Sequence, residues 1–420
     1  MAIYITVTHL VGDPTTYASD DTDTARGTIL IAAVGDAVTG DSISLTANTF
    51  NIQTNHLDLS LGNTITDVDL IGAGKLTTII QSSWSLIVDG SYAIVHPSNN
   101  SIVKDLSIVG TLTGEVYQSP WGAGTLDSAF TGAELTNVYL EAESDGIYIN
   151  KDSCSGTISN ITSVAKMNPL MINSYDSIFD VYTSAFTAVG NVTWNGPNAI
   201  LGCGGVINLY TCSISNSSGT VYSKGITSFY KNVLGTRYPA TINVYDCTIE
   251  TDPDTGTSSS FYSIGAIGYN AGCISTVNVY NSSYNRSRIY EGSFSSINEY
   301  GTICLGYYRA DESYDSWQKW EISDGVKGTI RGSTDWGTLE LYNDTPIYSP
   351  VIDTGNVNSK TFTIQKDKYD SGSGVVAIYI RGGTSAILQH DALPAWSLYT
   401  EPITETWQYV QSKLLYPLST

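Results

Sequence analysis

The stretch Val206-Ile207-Asn208-Leu209-Tyr210-Thr211-Cys212-Ser213-Ile214 recurs as Thr241-Ile242-Asn243-Val244-Tyr245-Asp246-Cys247-Thr248-Ile249 and again as Thr276-Val277-Asn278-Val279-Tyr280-Asn281-Ser282-Ser283-Tyr284. Asn208, Asn243 and Asn278 are spaced by 35 residues, and a fixed spacing means that one structural unit is stacked on the next. Within each unit small aliphatics alternate with Asn and Tyr, the period-two pattern of a strand with one buried face. A polar turn residue, Thr211, Asp246 or Asn281, then breaks the strand. Variants of the central tripeptide stand upstream at Asn137-Val138-Tyr139 and Asp180-Val181-Tyr182.

Short strands that repeat in this way predict a parallel β-helix, in which each coil bonds to the coils above and below and cannot bury its inner face alone. Ile207, Leu209, Ile242, Val244, Val277 and Val279 then point inward. Tyr210, Tyr245 and Tyr280, with Tyr139 and Tyr182 as candidate members, point outward in a ladder spaced by about 4.8 Å. Three roles are open to such a ladder: holding sugar rings, packing against sister chains, or stiffening the sheet.

Composition agrees. Charged residues make up only 14% of the 420, against 39 Gly, 29 Tyr and 3 Met, a balance that favours strands and tight turns over long helices. The formal charge of −21 excludes nucleic acid and anionic membranes as partners, because a phosphate surface needs a basic stripe. No run approaches the ~20 apolar residues of a membrane span, so membrane insertion is not expected. The opening Met1-Ala2-Ile3-Tyr4-Ile5-Thr6-Val7 lacks the basic start and apolar stretch of an export signal, which predicts reduced thiols. Cys154, Cys203, Cys212, Cys247, Cys273 and Cys304 show no metal-ligand spacing, and neither a metal nor another cofactor is expected. Cys212 and Cys247 are predicted to stack in adjacent coils as small buried hydrophobes.

Near the N-terminus, Gly27-Thr28-Ile29-Leu30-Ile31-Ala32-Ala33-Val34 leads into Thr39-Gly40-Asp41-Ser42-Ile43-Ser44-Leu45 and Thr49-Phe50. Asp67 to Ile80, containing Gly72-Ala73-Gly74 and ending Thr78-Ile79-Ile80, and then Val103-Lys104-Asp105-Leu106-Ser107-Ile108, follow. Together these resemble pectin-lyase-like right-handed β-helix proteins over residues 25 to 310, where a short amphipathic helix precedes the first coil. Leu30, Ala33, Val34, Ala37 and Val38 would form the helix face that plugs the solenoid. Gly72-Ala73-Gly74 lacks the third glycine and the following helix of a dinucleotide loop.

Register is lost after Tyr307, and we divide the chain into an N-terminal attachment and capping segment (1–24), a parallel β-helix (25–312) and a C-terminal antiparallel β-sandwich (313–420). The last part rests on alternation in Thr338–Tyr342, Lys360–Ile364, Val375–Arg381 and Trp407–Leu414. It resembles jelly-roll modules at the ends of phage tail proteins.

The resemblance implies two kinds of chemistry: lyases with a calcium-holding carboxylate cluster and a basic residue, or hydrolases with two or three close aspartates. The adjacent aspartates here are Asp20-Asp21, outside the solenoid, and His9, His56, His96 and His390 make no Gly-His-Gly element. The candidate catalytic residues are therefore Glu141, Glu143 and Asp145, which unbroken alternation would place on one side of a strand about 6 to 7 Å apart. A solvated outer face accounts for them equally. Asp252-Pro253-Asp254-Thr255-Gly256 has part of a calcium loop but no bidentate Glu, which favours a surface turn. Phage spikes and fibres of this layout are commonly homotrimers that engage host polysaccharide. The leading expectation is thus a virion structural or adhesive protein, a spike, fibre or decoration protein that contacts other virion proteins. The alternative is a polysaccharide depolymerase; a bacterial surface adhesin would need an export route.

Overall fold

The computed structural model describes residues 2–284 except 54–55, 83–92, 111–118, 191–196, 218–223 and 252–261, and the strands that follow between 289 and 409. From Ser42 the chain winds as a right-handed parallel β-helix with three sheets. The third sheet has nine strands, from Leu57–Asp58 to Ile289–Glu291, so nine coils are complete. At about 4.8 Å per coil they form a rod roughly 40 Å long. A tenth coil begins with Ser295–Tyr300 and Ile303–Tyr307.

The inner face of the first sheet is a vertical column: Ile43, Leu70, Val103, Leu135, Ile158, Val181, Leu209, Val244 and Val279 pair in register from coil to coil. None of these is more than marginally accessible. Ile207, Ile242 and Val277 form a second buried column beside it, as the alternation predicts.

From the third coil to the ninth, the bend from the first sheet into the second is made by one residue per coil in the left-handed region. Asp105, Asn137, Asn160, Thr183, Thr211, Asp246 and Asn281 have φ of 58°, 53°, 52°, 47°, 55°, 53° and 48°. Asn and Asp tolerate this conformation better than most side chains, which is why the polar turn residue is legible in the repeat. The bend keeps the ladder intact, since the N–H of Asn160, Thr183, Thr211 and Asp246 each donates to the carbonyl of Tyr182, Tyr210, Tyr245 and Tyr280 in the next coil. The two buried thiols follow at the next step. Cys212 donates its backbone N–H to Cys247 Sγ (3.2 Å), and neither cysteine is in a disulfide. The Cys304 side chain and the Asp252 turn lie outside the described residues.

Glycine at position 72 is required by close approach rather than by a phosphate. A Cβ there would lie 2.2 Å from the Asp105 carbonyl oxygen of the coil above.

At the N-terminal end, Ala2–Thr8 pairs antiparallel with both Thr15–Ser19 and Ser42–Leu45, covering an edge that would otherwise template aggregation. Helix Asp23–Gly35 starts at Thr22, whose hydroxyl accepts the Ala25 N–H (3.2 Å). Arg26 anchors it: Nε donates to the Thr49 carbonyl (2.8 Å) and the guanidinium pairs with Asp21 and Asp23. Leu30, Ala33, Val34 and Ala37 are buried on the first coil, whereas Val38 is 54% exposed. The helix has ended by then, so the 3.6-residue period no longer applies to Val38. Among the described residues no helix is long and apolar enough to cross a membrane.

The parallel pattern stops at Ile303–Tyr307. That strand takes Thr338–Asn343 antiparallel, which in turn pairs with Lys360–Ile364. Further antiparallel pairings join Trp317–Trp320, Lys327–Arg331, Ala377–Arg381 and Gln408–Tyr409. The expected division at 312 lies outside the described residues.

Candidate functional site

Strand Ala133–Ala142 ends before the acidic segment does, and the three carboxylates separate. Glu141 faces solvent and accepts the Tyr139 hydroxyl (3.0 Å). Glu143 is paired with Lys166 of the next coil. Asp145 turns inward and is 6% exposed; its Oδ1 accepts the Asn168 N–H (3.2 Å) and Nδ2 (2.7 Å). The expected common face is therefore absent, because alternation ends with the strand. Asp145 is instead the first rung of a buried polar stack, in which Asn168 Oδ1 accepts from Asn198 Nδ2 (3.2 Å) and Asn198 Oδ1 accepts the Thr227 hydroxyl (2.7 Å). Burial pushes the Asp145 carboxyl up to about 6 against the hydrogen bonds from Asn168.

Four of the five tyrosines form the ladder. Ring centroids are 4.8 Å apart for Tyr182–Tyr210, 5.0 Å for Tyr210–Tyr245 and 4.7 Å for Tyr245–Tyr280, with planes within 10°. Tyr139 is not a member. Asn137 occupies the bend, so Tyr139 falls in the second sheet, in register with Ser107 and Thr162. The rung beneath Tyr182 is Ser159, and beneath that Thr136. Beside the tyrosines runs an amide ladder, with Asn278, Asn243 and Asn208 donating in turn to Asn243, Asn208 and Asp180, each at 2.8 Å. Stacked this closely, the rings cover one another's faces and present edges and hydroxyls. A sugar ring needs an open face, so this ladder suits stiffening and flat packing better than sugar stacking.

A second aromatic cluster, this one with cationic side chains, lies at the corner where the third sheet returns to the first. A hairpin, Lys231–Val233 with Thr236–Tyr238, stands out there between two coils. Its turn, Leu234-Gly235, has φ of 48° and 89°, and Leu234 is fully exposed at the tip. One side of the hairpin rests on the coils toward the N-terminus. Tyr238 stacks on Tyr175 (4.4 Å), and Lys231 Nζ bonds Asp152 (2.6 Å) and the Asn173 carbonyl (2.8 Å). The Arg237 guanidinium lies 3.5 Å over the ring of Tyr269, which is itself 42% exposed and tilted against Tyr230 (5.3 Å). Sequence alternation missed this cluster because corner insertions have no period; the only signal was the Arg/Lys/Tyr density of Tyr230-Lys231 and Arg237-Tyr238 in an acidic chain.

Among the described residues no group of three or more His, Cys, Asp or Glu is placed to hold a metal ion.

Neither a protein family nor a curated protein sequence matches the chain. Among solved structures, the enzymatically active domain of bacteriophage CBA120 tailspike protein 2 aligns at 9% identity and TM-score 0.41, covering 92% of this chain and 68% of that one. Pectin methylesterase PemA from Erwinia chrysanthemi aligns at 12% and 0.38 over 68% and 86%. ORF18 of Geobacillus virus E2 aligns at 11% and 0.34 over 91% and 74%. What this chain has in common with such proteins is the parallel β-helix, established here by its own strand register.

Proposed function

We propose that the protein is an adhesive rod of a phage virion, a tail spike or fibre that binds glycan on the host cell surface. The observation that carries this is the corner cluster: tyrosine edges and hydroxyls with two cationic side chains gathered around a projecting hairpin, groups that hydrogen-bond saccharides and their acidic substituents. Soluble oligosaccharides from host surface polysaccharide are expected to bind the purified protein, with affinity lost in a Tyr238→Ala, Tyr269→Ala double variant. No binding across the host's polysaccharides would overturn the adhesive role, and release of reducing or unsaturated ends in the same assay would replace adhesion by cleavage.

The ladder face supports self-association into a trimer. From coil to coil its outward residues are Ile178, Asp180 and Tyr182, then Val206, Asn208 and Tyr210, then Thr241, Asn243 and Tyr245, then Thr276, Asn278 and Tyr280. Asp180 is the one charged group in that set, on a chain of net charge −21. Charge depletion of this kind marks the centre of protein interfaces. Light scattering is expected to return three chains per particle at micromolar concentration, and a monomer would rule this out.

A further inference from the structure

We infer that the ligand of the hairpin corner is an acidic saccharide whose carboxylate is received by Arg237. This deepens the adhesive reading and rests on it.

The protein carries 40 acidic residues and 19 basic ones, so a cation in it has carboxylates to choose from. Arg26 holds two, Lys166 holds Glu143 and Lys231 holds Asp152. Arg237 holds none within 4.0 Å among the described residues. Its Nη1 reaches only the Gly235 carbonyl of its own turn (3.3 Å), and its Nε is buried without a hydrogen-bond partner. That Nε is closed to solvent, so a ligand would meet the guanidinium at its Nη nitrogens.

Anchoring the hairpin is a sufficient reason for a flat side chain on Tyr269, but an apolar side chain would fill that role without leaving a charge unanswered. The guanidinium is also held rather than free. Tyr269 supports one face and the turn carbonyl fixes Nη1, so a planar fork is oriented before any ligand arrives. Its setting adds hydrogen-bonding edges for the sugar itself: Tyr269 is exposed, and Tyr238 and Tyr175, stacked on each other, lie on the opposite side of the same hairpin. Lys231, already neutralised by Asp152, contributes no free charge. A neutral glycan leaves the Arg237 charge unanswered; a uronic-acid residue pairs with it.

The test pairs each acidic host oligosaccharide with its carboxyl-reduced form, titrated into the full chain by calorimetry. Wild type is expected to bind the acidic form roughly tenfold or more tightly, the scale of a charge-assisted hydrogen-bonded pair, and to lose that preference in high salt. Arg237→Met is expected to lose the same factor for the acidic form while keeping the weak binding of the reduced form, and Arg237→Lys to recover part of it. Equal binding of acidic and reduced forms by wild type overturns the inference and leaves adhesion standing, whatever the folding of the variants. So does unchanged acidic binding by a folded Arg237→Met. Absence of binding to either form overturns adhesion as well.

Discussion

Replacing Phe130 with alanine is expected to cost about 3 to 5 kcal/mol and to uncouple the N-terminal coils from the rest of the rod. Phe130 lies on the connection between the third and fourth coils, 1% exposed, with its ring edge-on to Trp121 (5.5 Å) and to Phe179 (6.2 Å). Trp121 belongs to the third coil and Phe179 to the sixth, so this one ring ties together coils that do not share a strand pairing. A solenoid is held mostly by nearest-neighbour contacts, and a cavity at a tie of this kind weakens one interface selectively. Hydrogen exchange is expected to lose protection in strands Ser42–Leu45 to Ala133–Ala142 while Ala240–Tyr245 and Ser275–Tyr280 keep theirs. Uniform loss along the rod would show that the coils unfold as one unit.

Asp145→Asn is expected to stabilise the protein at neutral pH by up to about 3 kcal/mol. The folded carboxyl titrates at about 6 against a reference of 3.8, so below the reference both states are protonated and the contribution is at its most favourable. As pH rises from 3.8 to 6 the unfolded chain gives up its proton first, stability falls, and the loss is complete once the folded carboxyl has ionised. Two pH units at 1.36 kcal/mol each set the scale. Asparagine keeps the acceptor that Asn168 uses and adds no charge; the stack already uses asparagine at the next two rungs. Denaturant midpoints of the two proteins should agree near pH 3.5 and diverge through pH 6. A constant difference across that range would mean the carboxyl is not buried in the way described.

The registers explain what the sequence could disclose and what it could not. Inward columns were legible because aliphatic alternation within a strand is local, and the residue at the left-handed bend was legible because few side chains tolerate that backbone. Tyr139 misled because Asn-Val-Tyr matches the ladder tripeptide in identity but not in phase: Asn137 is itself the bend, whereas Asn208 lies three residues before Thr211. Asp145 misled for a related reason, since period two holds only while the strand lasts and the strand stops at Ala142. The hairpin corner was silent. Tyr175, Tyr238 and Tyr269 come from three different coils, and nothing local to any of them records that the winding brings them together.

Coil length is 23 residues between Asn137 and Asn160 and 35 between Asn208 and Asn243, yet the sheets continue without a break in register. Insertions are absorbed outside the strands, as with the hairpin that carries Arg237. The molecule is thus divided into a shaft of uniform geometry and corner segments of unequal length. A corner segment can therefore change in length or composition while the stacked strands beneath it keep their places.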